Sequence, residues 1–210
     1  MCAIFGTKSV EEYEELYELN HKRGGFAFSN CFINEQGEPI IVKKQSYNEP
    51  LCCARYMLAH DQAPTSSVRS YHFTTSHPFK FGNWIVAHNG VLTNHKTLLP
   101  DHNCDIDSSY IPVLLHKRNA LENNGELNAI NKVFSELEGT FSCWIYNKES
   151  KNLYLVKQGS TLFSRFSTFS SVKYKDSNPL KDGIIYKVYT MADVIVEVSE
   201  FTSNNPFALI

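Results

Sequence analysis

The residues best suited to covalent chemistry stand at the start of the chain. Cys2 directly follows the initiator methionine, and cysteine is small enough for that methionine to be removed. The mature chain would then open with a thiol beside its own α-amine, a base with an ordinary pKa of about 7.7–8.0. Such an amine can take the thiol proton as sulfur attacks a carbonyl and pass it to the departing amine. Water would then hydrolyse the acyl-enzyme. The attack also needs donors for an oxyanion. His88-Asn89-Gly90, after the apolar stretch Trp84 to Ala87, offers an Asn side-chain amide and the N–H of a glycine that tolerates close approach. Each element has a plain alternative when taken alone. Cysteine at position 2 can be incidental, and Asn-Gly is a strong hairpin-turn signal.

The surrounding sequence predicts strands at both ends and helices between them. A strand over Cys2 to Phe5 is closed by Gly6. Ser9 and Glu12 form an S-x-x-E capping box for a helix with Val10, Tyr13, Leu16 and Tyr17 on one face. Phe26 to Ile33 and Pro39 to Lys44 read as a hairpin turning at Asn34 to Gly37. Leu51 to Ala59 is an apolar run, and His60 to Thr75 reads as a loop. Trp84 to His88 is a short strand entering an Asn89-Gly90 turn. Asn94 to Leu99, Asp107 to Asn124 and Glu126 to Glu138 read as helices, with Pro112 confined to the first turn of the second. Strands follow over 140–146, 153–157, 161–169, 184–190 and 194–201. Strands at the ends with helices between suggest two sheets with helices packed outside, in one domain.

Composition excludes several classes. The chain has 210 residues, 42% of them hydrophobic and 20% charged, which is ordinary for a globular protein. Lys plus Arg number 20 against 22 Asp plus Glu, a formal net charge of −2. That balance provides no electrostatic reason for nucleic acid or an anionic membrane as partner. No apolar run approaches the roughly 20 residues of a spanning helix, and the N-terminus lacks the pattern of a signal peptide. A cytoplasmic enzyme-sized domain is expected. The six cysteines include no C-x-x-C pair, so no structural metal is expected. All but Cys2 read as small buried hydrophobes. Tyr13 and Tyr17 read as packing residues, and Lys43-Lys44 as a solvated charge run.

Taken together, the chemical residues form a specific set. Met1-Cys2-Ala3-Ile4-Phe5-Gly6, His77-Pro78-Phe79, Val86-Ala87-His88-Asn89-Gly90 with Asn94, and Asp105-x-Asp107-Ser108 at a helix start resemble the class II glutamine amidotransferase domain. Arg23-Gly24, Leu137 to Phe141, and Leu153 to Val156 with Gly159 extend the resemblance over about residues 1–170. It implies a four-layer αββα N-terminal-nucleophile (Ntn-hydrolase) sandwich, an α+β fold of two mainly antiparallel sheets. It also implies that Cys2 forms a γ-glutamyl thioester, with its freed α-amine as base and Asn89 and Gly90 N–H as the oxyanion hole. Asp107 would hold the α-ammonium of glutamine, Thr65 would lie in the substrate loop, and His77 would brace it; His60 matches a structural position. No cofactor or metal is required. Residues 1–210 are expected to be one free-standing domain, so the implied partner is a separate synthase that accepts the ammonia.

Two positions depart from the family pattern. Ala3 replaces a glycine. Gln62 replaces an arginine that forks onto the substrate α-carboxylate, and glutamine supplies neither charge nor a guanidinium fork. Losing a charge-assisted pair costs roughly 1.5–3 kcal/mol. Arg69 or Arg55 can substitute, the substrate can be another γ-glutamyl compound, or the site can be degenerate. A non-catalytic binding module that keeps the fold is the reading from a different class.

Overall fold

The computed structural model describes residues 2–47, 49–51, 53–63, 72–122 and 125–203. The first sheet has the order β11-β9-β10-β1-β4-β2-β3, comprising Asn178–Pro179, Phe163–Arg165, Thr168–Ser170, Ala3–Thr7, Tyr56–Gln62, Ala27–Ile33 and Pro39–Lys44. The second has the order β13-β12-β8-β7-β6-β5, comprising Val194–Glu200, Ile184–Tyr189, Asn152–Gln158, Gly139–Asn147, Trp84–Leu92 and Phe79–Phe81. Every pairing between these strands is antiparallel. Helix α1 (Val10–His21) covers the first sheet. After the short α2 (His95–Leu98), α3 (Tyr110–Glu122) and α4 (Glu126–Glu136) cover the second.

Strand alternation builds three apolar layers. Ile4 and Leu58 from the first sheet meet Ile85, Ala87, Trp144 and Leu155 from the second. Their neighbours Phe5, Met57 and Ala59 face the opposite way and pack with Tyr13 and Leu16 of α1. On the far side, Val86 and Ile145 pack under Ile111, Leu115, Val133 and Phe134 of the helix pair. The result is the expected αββα sandwich. Trp144 also ties the sheets directly, its indole Nε1 donating to the Ala59 carbonyl at 3.2 Å.

The first helix starts at its predicted cap, with Glu12 N–H donating to Ser9 Oγ at 3.2 Å. The reciprocal half of the capping box is absent. The Glu12 carboxylate instead accepts from Thr7 and Thr168, joining the helix start to β1 and β10. Val10, expected on the buried face, is exposed, whereas Tyr13 and Leu16 are buried. Pro112 sits in the first turn of α3, where its missing N–H removes no helix bond.

Several expectations are corrected. His60–Gln62 are not loop; they complete β4, paired to β1 on one side and β2 on the other. Asn89-Gly90 is not a hairpin turn. β6 runs through it to Leu92, with Asn89 opposite Ser142 and Gly90 opposite Phe141. Residues 161–169 form no single strand, because β9 and β10 fold back on each other. Cys53 is exposed and Cys104 half-buried, so only Cys31 and Cys143 of the described non-terminal cysteines are core residues; Cys52 lies outside the described residues. Lys43 is no solvated charge either. Its amine donates to the Ser76 carbonyl, and burial pulls its pKa down to about 8.

Because Trp144 fills the middle of the inter-sheet layer and its N–H is satisfied there, Trp144→Ala is expected to cost about 3–5 kcal/mol. Urea unfolding checks this: the midpoint should fall with little change in slope.

Candidate functional site

Alternation also determines which polar side chains meet. Gln62 lies two positions beyond His60 and four beyond Leu58, so it shares their inter-sheet face. Asn89 follows Ala87, and Ser142 precedes Trp144, with the same consequence. Extending β1 backward by one step places Cys2 on the face of Ile4. The apolar layer therefore ends in a polar cluster at one end of the sandwich.

Ser171 stitches this cluster together. Its Oγ accepts from Ile4 N–H at 3.0 Å and from Asn89 Nδ2 at 3.3 Å, linking the strand that carries Cys2 to the amide of Asn89. Asn89 Nδ2 also reaches Ser142 Oγ at 3.5 Å, and its own carbonyl accepts from Ser160 Oγ at 3.4 Å. The Cys2 thiol contacts the Ala63 carbonyl at 3.8 Å. Burial pushes this thiol above its usual range and the carboxylates of Asp107 and Asp61 add to the shift, against the lowering effects of the Ala63 backbone and the N-terminal charge.

Gly90 has φ 153°, and a Cβ there would lie 1.9 Å from the Thr140 carbonyl oxygen. The neighbouring strand backbone occupies the space of any side chain. Gly24 meets the same constraint at the other wall: its Cβ would lie 2.0 Å from Asp61 Oδ1. Asp61 accepts there from Gly25 N–H at 2.6 Å, and its other oxygen lies 2.8 Å from His21 Nδ1. Arg23, on the same turn, donates to Thr161 Oγ1 and to the Ser171 carbonyl, both at 2.9 Å. It is close enough for a charge on the Cys2 sulfur to act on it.

Asp107 opens the short helical turn before α3. One carboxylate oxygen accepts from Leu92 N–H at 2.8 Å and the other from Ser108 N–H at 2.8 Å. These bonds aim the carboxylate at the end of β6 and leave it lone pairs for a cation. Gln62 is 4% exposed, and its Oε1 has no partner among the described residues. His77 stacks on His60 with ring centroids 3.9 Å apart, which makes it a packing partner of the β4 end. Burial lowers the His60 pKa to about 3, against the raising effect of a hydrogen bond to the His88 backbone.

Thr65 and Arg69 lie outside the described residues. Arg55 is the wrong replacement for the missing arginine. It precedes the opposite end of β4, where its backbone N–H donates to Ile33 and its guanidinium to Thr190. Sequence reasoning missed Asp61, Ser142, Ser160 and Ser171 as parts of the site. Serines carry no spacing signal, and Asp61 was hidden in the supposed loop. Among the described residues no group of three or more His, Cys, Asp or Glu side chains could hold a metal, and no helix is long and apolar enough to cross a membrane.

No protein-family model matches the chain. It is 29% identical over 182 residues to 7-cyano-7-deazaguanine synthase 2 of Sulfurisphaera tokodaii, covering 75% of this chain and 39% of that protein. It is 24% identical over 238 residues to 7-cyano-7-deazaguanine synthase of Saccharolobus solfataricus, covering 98% and 50%. The chain thus spans half or less of these relatives' length. Its fold matches that of a glutamine phosphoribosylpyrophosphate amidotransferase from B. subtilis, with TM-score 0.71, 16% identity, and coverage of 97% of this chain and 50% of the other. A glutamine aminotransferase class-II domain protein from Silicibacter pomeroyi matches with TM-score 0.55, 14% identity, and coverage of 96% and 99%. The fold is therefore that of the class II, Ntn-hydrolase glutamine amidotransferases, as the residues at the N-terminus and around Asn89 implied.

Gly90→Ala should destabilise the protein by about 2–4 kcal/mol, because backbone rather than a flexible side chain must give way. Thermal or urea unfolding checks it. The His60 pKa implies an acid-sensitive fold. The unfolded state takes up a proton near pH 6.5 that the folded state refuses until about pH 3, so stability falls as pH drops through that window. Urea midpoints at pH 7, 5 and 4 should decline less steeply in His60→Asn than in the parent.

Proposed function

We propose that the chain is a glutaminase in which Cys2 attacks the side-chain amide carbon of glutamine and forms a γ-glutamyl thioester. The observation that supports this most directly is the Ser171 bridge, which joins the strand bearing Cys2 to Asn89 in a fold shared with class II glutamine amidotransferases. Removal of Met1 frees the α-amine of Cys2. That amine takes the thiol proton as the C–S bond forms, and delivers it to nitrogen as the C–N bond breaks and ammonia leaves. Water then attacks the thioester carbon, returning the thiol and releasing glutamate. Asn89 Nδ2 and the Gly90 N–H stabilise the oxyanion of both steps. Asp107 holds the α-ammonium of the substrate, and His77 supports the β4 end from behind.

A raised thiol pKa suits this assignment. A sulfur that stays protonated at rest relies on the amine for its activation, so reactivity should follow deprotonation of the amine and rise with pH through about 7.7–8.0. The relatives' names direct the choice of acceptor. We propose that the ammonia passes to a cytoplasmic synthase of the 7-cyano-7-deazaguanine type, corresponding to the part of those proteins that this chain does not span. No cofactor enters the hydrolysis.

Gln62 favours a second reading, in which the substrate is another γ-glutamyl compound. The side chain is neutral and buried, and it offers no counter-charge to a free α-carboxylate. Arg69, which lies outside the described residues, is one candidate for that role.

Intact mass spectrometry with 6-diazo-5-oxo-norleucine tests the proposal. The expected result is a chain lacking Met1 that gains one adduct, with no adduct in Cys2→Ala. Retention of Met1 in protein from its native host would overturn the mechanism and leave the binding-module reading. Gln62→Arg should accelerate labelling about tenfold or more if the α-carboxylate lacks a partner, and leave the rate unchanged if Arg69 already supplies one.

A further inference from the structure

Gln62 stands beside the proposed nucleophile itself. β1 and β4 pair with Ala3 opposite Asp61 and Ile4 opposite His60, so continuing the register by one residue sets Cys2 opposite Gln62. Directly opposed residues point to the same face, with Cβ atoms about 4.5–5.5 Å apart. The 3.8 Å contact of the Cys2 thiol with the Ala63 carbonyl fits that placement. On its other side Gln62 is paired with Ala27 of β2, whose methyl group offers no hydrogen bond. In a glutamine the α-carbon is three bonds from the carbon that Cys2 attacks, so the groups it carries come within reach of the Gln62 side chain.

That side chain is buried, and its carbonyl Oε1 accepts no hydrogen bond from the described residues. A buried acceptor left empty is costly, and native proteins seldom leave one without a role. A ligand that brings an N–H to Oε1 recovers the loss. A free α-carboxylate brings none, because its oxygens only accept, and against Oε1 it would set acceptor on acceptor. The charges nearby act in the same sense. The carboxylates of Asp61 and Asp107 are near enough to act on the Cys2 sulfur, and a free α-carboxylate would add a third negative group. The Arg23 guanidinium, near the same sulfur, donates to the Ser171 carbonyl and the Thr161 hydroxyl.

We propose that Gln62 selects a glutamine whose α-carboxyl group is an amide, the class that comprises α-amidated glutamine and the N-terminal glutamine of a peptide. Oε1 accepts from the α-amide N–H, and Asp107 holds the free α-ammonium. Cys2 attacks the γ-carboxamide carbon; the C–S bond forms, the C–N bond breaks, and ammonia leaves. Water then cleaves the thioester and returns the thiol. The product is a glutamate whose α-amide bond is intact. The inference rests on the Cys2 thioester reading and specifies its substrate, which departs from free glutamine at the α-carboxyl group.

Ammonia release by the full chain from glutamine, glutaminamide and glutaminyl-glycine tests this. Cys2→Ala supplies the background, because an N-terminal glutamine also cyclises unaided. Glutaminamide should exceed glutamine in kcat/KM by about tenfold or more, since a buried acceptor discriminates against a partner that brings no donor. Equal turnover of the dipeptide assigns the peptide N-terminus as the source of the amide, and turnover of glutaminamide alone assigns a small α-amide. Gln62→Met keeps the length of the side chain, removes the acceptor, and should abolish the preference. Gln62→Arg should invert it in favour of glutamine. Thermal unfolding verifies that both variants are folded, and Gln62→Met, which buries no new polar group, is the safer of the two. A parent that prefers glutamine, or a preference that survives Gln62→Met, would overturn this inference and leave the thioester reading standing. Absence of Cys2-dependent release from all three compounds would overturn both.

Discussion

Everything at the Cys2 end depends on how firmly five residues of β1 are held. A nucleophile at a chain terminus sits where chains ordinarily fray. Here the strand that follows it is central: β4 pairs along its whole length, β10 pairs at Phe5 and Gly6, and all five residues are buried. The Ser171 side chain takes the Ile4 N–H just beyond the β10 pairing, so the strand remains bonded toward its first residue. The same oxygen receives the Asn89 amide from the other sheet. One hydroxyl thereby sets the distance between the proposed nucleophile and the proposed oxyanion donor, and the Trp144 bond to Ala59 holds the sheets at a fixed spacing behind it.

The electrostatics at this end follow from that packing. Burial of Cys2, with the carboxylates of Asp107 and Asp61 adding to it, opposes thiolate formation against the lowering effects of the Ala63 backbone and the N-terminal charge. Asp61 is committed to Gly25 and His21, and Asp107 to Leu92 and Ser108, so both carboxylates have structural work in the apo fold. An α-ammonium arriving near Asp107 would offset one of the two charges that raise the thiol pKa. In the proposed reaction, binding of the ammonium would then favour activation of the thiol through Coulomb attraction.

Much of this was legible in the residues. The ends of the hairpin, the Ser9 cap, the turn position of Pro112 and the long helices came from period and cap chemistry, because those signals act locally. His60–Gln62 and Asn89-Gly90 misled for one reason. Both are polar or turn-forming stretches placed in strands, where local propensity gives way to strand pairing, with β1 and β2 in one case and with β7 in the other. The elements that depart from local propensity are the ones that carry the candidate site. The serines around Asn89 had no signature at all, since their role comes from strand order and register.

The arginine question shows why register decides more than proximity in sequence. Arg55 and Gln62 are seven residues apart, and a loop between them would let either serve the same ligand. In a strand the separation becomes the length of the sandwich, and the two side chains belong to opposite ends. The positive charge near the start of β4 therefore cannot compensate for the neutral residue at its end. The Arg55 guanidinium donates instead to the Thr190 hydroxyl, in the connection between β12 and β13. A single strand thus separates the Arg55 charge from the Asp61 and Asp107 carboxylates by the length of the sandwich.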